Sequence, residues 1–335
     1  KIEHVKLDST TTAVAQVRTE VAAGRASDGG SVDLIWINGE NFTTMRSANL
    51  LYGPFAEALP NWALVDVVGK PATTMDFTTP TDGYESPWAL AQLVFEYDSK
   101  GLQTPPQTFG GLAGWLEKNP GRFTYPQPPD YLGLTFLKQA AYELVADPKV
   151  LLSPVDDATY EQIAAPLWEW ISKVHPNLWR KGEAFPRNEA HLGQLLADGE
   201  IDLSFSFNPN RASAEIAAGN LSDTIRTYVP AGGTIGNASF VAIPVNASNK
   251  PAALVIANLI LDPEVQARAQ NPDILGFQTV LDVTNLSEVD RQRFAALPRG
   301  KASLSPQEMG KALLEPHASW MERLTRDWEA RYLTR

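Results

Sequence analysis

Hydrophobic and polar positions alternate along the chain in short runs that predict strands and helices in turn. Ile2, Val5 and Leu7, with charges between them, predict a strand over 2–7. Asp8 or Ser9 then caps a predicted helix with Val14, Val17 and Val21 on one face and Gly24 as its stop. Residues 24–31 read as a solvated loop. Val32–Ile37 is a nearly continuous apolar run, the pattern of a buried parallel strand. It ends in the polar turn Asn38-Gly39-Glu40-Asn41. Strand, helix and strand make a βαβ unit, which predicts a right-handed crossover and a parallel sheet.

Beyond it, Pro54, Pro60, Pro71, Pro80 and Pro87 keep 50–87 irregular, and an apolar run follows from Trp88 to Tyr97. A helix is predicted over 109–117, a short strand over 123–126, and amphipathic helices through Leu134–Val145 and Ile163–Val174. Ile201, Leu203, Phe205 and Phe207 alternate with polar residues, a half-buried strand, and Phe240–Val245 is another. From 251 onward the pattern is helical. Asp262-Pro263 opens one helix, Ser305-Pro306-Gln307-Glu308 has the form of a capping box, and Trp320, Leu324 and Trp328 line one face of the last. The pattern as a whole is that of an α/β protein in two lobes.

Composition narrows the chemistry. The 335 residues are enough for about two domains. With 28 basic and 39 acidic side chains the net charge is −11, which argues against nucleic acid and anionic membrane surfaces as partners. There is no cysteine, so disulfides, thiolate metal sites and cysteine nucleophiles are excluded. No apolar run is long enough to span a bilayer. The first residues lack the charged-then-apolar shape of a signal peptide and already belong to a predicted strand.

Enzyme motifs are absent: there is no P-loop, no G-x-G-x-x-G after a strand, no G-x-S-x-G elbow and no H-E-x-x-H. The four histidines are scattered without metal-ligand spacing, so neither a metal site nor a catalytic residue is expected, and no cofactor. The five N-x-S/T sequons carry little weight. What remains is a set of polar segments at strand ends, where open α/β sheets hold ligands. Asn38–Asn41, Gln127–Tyr131 and Asn208–Asn210 each follow a predicted strand, and Gly232–Asn237 precedes one. Each alone reads as an ordinary turn. Together, with Trp36, Trp88, Tyr131 and Phe207 interleaved, they point to a binding surface, although Trp36, inside its apolar run, is expected in the core.

The order of segments resembles a known family. The run Val-Asp-Leu-Ile-Trp-Ile-Asn-Gly-Glu-Asn-Phe (32–42) is followed by Glu-Ser-Pro-Trp-Ala-Leu-Ala-Gln-Leu-Val-Phe-Glu-Tyr-Asp (85–98) and Pro-Pro-Gln-Thr-Phe-Gly-Gly-Leu (105–112). Then come Asp-Gly-Glu-Ile-Asp-Leu-Ser-Phe-Ser-Phe-Asn-Pro (198–209), Gly-Gly-Thr-Ile-Gly-Asn-Ala-Ser-Phe-Val-Ala-Ile-Pro (232–244) and Leu-Asp-Pro-Glu-Val-Gln-Ala-Arg (261–268). Nearly the whole chain thus resembles the extracellular solute-binding proteins of bacterial ABC importers, and more narrowly a thiamine-like substrate-binding subgroup. In that family a signal peptide, a strand and a helix normally come before the segment matching Ile2–Leu7, and the resemblance here starts at that segment.

The resemblance implies a two-lobed type II periplasmic-binding-protein fold, each lobe a mixed sheet flanked by helices, with the ligand cleft between lobes. Lobe one would be 1–88 plus about 243–335 and lobe two about 93–238. Hinges would fall near Ala89–Leu93 and Ser239–Ala242, where Ala89, Ala91, Ser239 and Ala242 are small. It implies a periplasmic or cell-surface-anchored monomer that passes a small-molecule solute to an inner-membrane ABC permease. The candidate ligand-binding residues are Asn38, Glu40, Asn41, Glu85, Ser86, Trp88, Asp130, Tyr131, Phe207, Asn208 and Asn237. Glu40, Glu85 and Asp130 with the aromatics suit a cationic solute, thiamine being the first to try, and Glu40 and Asp130 are expected to matter most. Two alternatives stay open: an enzyme on the same scaffold using a carboxylate pair such as Glu40 and Asp130, and a sensor that presents its closed form to a receptor.

Overall fold

The computed structural model describes residues 2–5, 7, 9–305 and 307–333. The first helix, α1 (Thr10–Ala22), is capped by Ser9, whose Oγ accepts the Thr11 amide at 3.2 Å, and it buries Ala13, Val14 and Val17. Asp8, the other predicted cap, lies outside the described residues. There follow β1 (Ile35–Ile37), α2 (Glu40–Ser47), the short hairpin β2 (Met75–Asp76) and β3 (Thr79–Pro80), then β4 (Glu85–Gln92) and β5 (Val94–Asp98). Next come α3 (Phe109–Lys118), α4 (Tyr131–Leu144), α5 (Tyr160–Val174), α6 (Glu189–Ala197), β6 (Leu203–Ser206), α7 (Arg211–Ala217), β7 (Ile225–Tyr228) and β8 (Thr234–Ala242). The chain ends with α8 (Lys250–Leu259), α9 (Pro263–Gln270), α10 (Glu288–Ala295), β9 (Ala312–Leu313) and α11 (Ala318–Tyr332). The Asp262 side chain caps α9 ahead of Pro263, as its sequence predicts. Ser305 and Glu308 make the reciprocal bonds of a capping box, yet among the described residues they open no helix; Pro306 between them lies outside those residues.

By its internal contacts the chain divides into two compact units: Lys1–Leu90 with Asn237–Leu297, and Ala91–Gly236 with Pro298–Arg335. In unit 1 the strands order β1-β8-β4, and β1 runs antiparallel to β8 with Trp36 opposite Val241. Helices α1 and α2 supply Val14, Val17, Phe42 and Met45 to a core shared with Ile35, Ile37 and Phe240. Unit 2 carries an antiparallel sheet ordered β6-β5-β7, with Phe95 between Phe205 and Tyr228. Its core is rich in aromatics: Phe123, Tyr125, Phe136, Phe205 and Trp328 are all fully buried.

Four sequence expectations change. Ile2, Val5 and Leu7 are exposed and belong to no strand, while Lys6 lies outside the described residues. Without that strand there is no βαβ unit at the start among the described residues, and β1 pairs antiparallel instead. The predicted strand over 123–126 shrinks to one parallel bridge, Phe123 with Leu203. Residues 298–335, expected in lobe one, belong to unit 2. The reason is the apolar stripe of α11: Trp328 Nε1 donates to the Tyr125 hydroxyl at 2.8 Å and Trp320 Nε1 to the Ser153 carbonyl at 3.0 Å, so its indoles find both apolar cover and acceptors there.

Candidate functional site

In unit 1 the turn after β1 is built on Gly39. Its φ of 60° lies in the left-handed region, and a Cβ there would stand 2.8 Å from the Phe77 ring. Glycine therefore lets the turn settle beside the β2–β3 hairpin, where the Gly39 amide donates to Asp76 Oδ2 at 2.6 Å. That amide opens α2, an end whose unpaired N–H groups favour an anion. Asp76 is buried, and close enough for its charge to act on Glu85, the first residue of β4. Glu85 is fully buried, and neither of its carboxylate oxygens has a hydrogen-bond partner. Burial pushes its carboxyl well above the usual carboxylate range, and the Asp76 charge pushes it further.

Further along β4, Ser86 Oγ and Trp88 Nε1 are likewise buried without a hydrogen-bond partner. The Trp88 ring packs edge-on against Trp36 (centroids 5.1 Å apart) and Phe277 (5.7 Å). Gln266 fixes this stretch of strand: its amide donates to the Trp88 carbonyl at 2.6 Å while its oxygen accepts the Thr279 hydroxyl at 2.7 Å. Trp36 itself is 52% exposed, so the expectation that it is core is overturned: β1 is too short to be covered on both faces. An outward indole beside Trp88 is a surface on which a flat or cationic group can stack.

The other unit 1 candidates have quieter surroundings. Glu40 is exposed in the first turn of α2, and Asn41 accepts the Thr11 hydroxyl at 3.2 Å. Asn38 is half-buried in the turn, and Asn237 is buried on β8. A groove of about 400 Å³ also opens on this unit, lined by Tyr52, Phe55, Leu59, Leu254 and Val255 among others, and none of the candidates lines it.

In unit 2, Asp130 is the N-cap of α4, its Oδ1 accepting the amides of Leu132 (2.9 Å) and Gly133 (3.2 Å). Tyr131 is 40% exposed, lies edge-on to Phe207 (5.5 Å), and donates its hydroxyl to Glu315 at 3.0 Å. Glu315 in turn accepts from Lys138 at 2.5 Å, a pair with both side chains fully buried. Asn208 Oδ1 accepts the Asn210 amide at 3.0 Å, which holds its turn. A second buried pair lies at the sheet: Glu96 on β5 is bound by Arg211 through both of its oxygens. Burial raises the Glu96 carboxyl despite that guanidinium.

The structure thus brings Glu85 beside a carboxylate, Asp76, that sequence patterning did not single out, because 50–87 has no periodicity to rank its polar residues. It brings Trp88 to Trp36 and Tyr131 to Phe207. Sequence reading also missed Glu315, since 298–335 was assigned to the other lobe, and with it the pairing that Glu315 makes with Lys138. No group of three or more His, Asp or Glu residues able to hold a metal ion occurs among the described residues.

Comparison with known proteins agrees with this architecture. The family model described as bacterial extracellular solute-binding protein matches residues 1–289. Protein YnjB of Escherichia coli (strain K12) is 42% identical over 330 residues, which cover 98% of this chain and 82% of that protein. Among solved structures, the spermidine/putrescine ABC transporter substrate-binding protein PotD of Streptococcus pneumoniae superposes with a TM-score of 0.69 at 13% identity, over 100% of this chain and 91% of that one. An extracellular solute-binding protein from Bordetella parapertussis gives 0.70 at 11% identity, over 97% and 87%.

Proposed function

Because the chain belongs to the bacterial extracellular solute-binding proteins, we propose that it captures a small organic cation and hands it to the membrane permease of an ABC importer. Its α/β architecture is that of ABC-transporter substrate-binding proteins, and the family consists of binding proteins rather than enzymes. Such a protein needs no reacting group, only contacts that distinguish its solute from water and from other solutes. No helix among the described residues is long and apolar enough to cross a membrane, and the family is extracellular. We take the protein to work as a monomer in the periplasm or anchored at the cell surface.

The observation that carries the cationic reading is Glu85. A fully buried carboxyl with no donor on either oxygen, next to a second carboxylate, asks for positive charge to be brought to it. Trp88 and the outward Trp36 supply faces for cation–π contact. Asn38, Asn41 and Asn237 in unit 1, and Tyr131, Phe207 and Asn208 in unit 2, remain the proposed polar and aromatic contacts. Glu40 and Asp130 stay among them, with Glu85 now placed ahead of both. Thiamine, a flat cation, suits this combination, and the polyamine named for the streptococcal relative belongs to the same charge class.

Thermal-shift screening followed by calorimetry tests it, with thiamine, spermidine, putrescine, neutral sugars and sugar phosphates against the unmodified chain and Glu85→Gln. A cation should bind the former and be weakened in the latter. A sugar or sugar phosphate that binds both equally, with no cation binding either, would end the cationic reading and leave the solute-binding family intact.

A further inference from the structure

The buried acid of unit 1 bears on how charge is taken up, an inference that rests on the cationic reading above. We propose that Glu85 is a neutral acid in the solute-free protein and ionises as the cation arrives, so that each cation bound sends one proton to solvent. The balance is simple. The O–H bond of Glu85 breaks, its electron pair stays on the carboxylate oxygen, and the proton passes to water as the solute's positive charge takes its place. Before binding the site holds the one charge of Asp76; afterwards it holds two carboxylates and a cation.

The geometry assigns the proton to Glu85 rather than to its neighbour. The Gly39 amide at the start of α2 donates to Asp76 and favours that carboxylate in its charged form. Glu85 has no donor on either oxygen and no exposure, so nothing in place stabilises its negative form. Asp76, from the hairpin, is the charge that acts on it, and as a like charge it opposes ionisation. Arg46 of α2 lies over the Tyr84 ring at 3.7 Å and faces Asp82, and Lys70 donates to the Leu281 carbonyl at 2.5 Å. Glu40 is exposed. Among the described residues, no cation is one of the groups acting on Glu85. Asp76 accepts a backbone amide and Glu85 accepts none, so of the two carboxyls Glu85 is the one whose anion has no donor.

The exchange makes selection sharper than attraction alone. A neutral solute cannot drive the ionisation, and an anion meets Asp76. For a cation, affinity should rise about tenfold per pH unit while Glu85 is protonated and level off once it is not. Replacing Asp76 by Asn removes the opposing charge, so the rise should shift to lower pH.

Infrared difference titration of the full solute-free chain, with Glu85→Gln as the reference, reads the proton directly. A protonated-carboxyl band is expected at neutral pH in the former and not in the latter. Calorimetry of thiamine and of spermidine in two buffers of unlike ionisation heat should return about one proton released per cation. Glu85 titrating in the ordinary carboxylate range, with a cation still bound, overturns the exchange and spares the cationic reading; so does binding without proton release. If neither cation binds, the cationic reading falls and takes the exchange with it.

Discussion

Three glutamates are almost completely buried among the described residues, and the two units treat them differently. In unit 2, Glu96 is held by Arg211 and Glu315 by Lys138. In unit 1, Glu85 has Asp76 for a neighbour and no donor at all. Burying a carboxylate is costly unless a cation and hydrogen bonds go with it. The unit 2 pairs meet that requirement internally and read as part of the framework, the second of them anchoring Tyr131. The unit 1 acid has no such cation or donor among the described residues, which is the feature the proposed cation site rests on.

The contrast can be broken from either side. Arg211→Ala converts Glu96 into an unmatched acid and should cost about 3–5 kcal/mol in urea unfolding, the largest effect expected. Glu85→Gln should do the reverse: stability within about 0.5 kcal/mol of the parent or better, with cation affinity weakened by about 1.5–3 kcal/mol in calorimetry. An equal loss of stability in the two variants would erase the difference between the units. Gly39→Ala forces a left-handed alanine against Phe77 and should lose about 1–2 kcal/mol, together with part of the cation affinity, as the amide on Asp76 shifts.

The pH dependence sharpens the same point. Burial raises Glu85 in the folded chain above its unfolded value, so the folded state binds the extra proton. Its contribution to stability is complete below the unfolded value, at ordinary carboxylate pH, and is lost as pH rises toward the folded one. Thermal melts of the parent should therefore fall relative to Glu85→Gln with rising pH, by up to about 1.4 kcal/mol per unit. Smallest is Trp36→Ala, which should leave stability nearly unchanged and weaken a cation by about 0.5–1 kcal/mol.

Much of this was legible before any coordinates. Ser9, Gly39, Asp262 and the Val14–Val17 stripe act locally, so their positions announce themselves in the chain. Glu85, Ser86 and Trp88 could be singled out because 85–98 is one of the segments that carries the family resemblance. Asp76 could not: it lies in a proline-broken stretch, and its importance comes from an amide 37 residues away. Trp36 misled for the opposite reason, since an apolar run predicts two covered faces and β1 receives cover on one. The place of 298–335 was hidden because an amphipathic helix shows that it needs a partner without saying which.

That last segment also sets an order of assembly. Trp328 meets Tyr125 across 203 residues of chain, and between them lies all of 237–297, which belongs to unit 1. In synthesis from N- to C-terminus the residues assigned to unit 1 end at Leu297, while the aromatic core of unit 2 still waits for α11. Contacts of such long range are slow to close. The unit that begins second and finishes last is therefore the one left open longest, and the anchor of Tyr131 on Glu315 is among the last features to form.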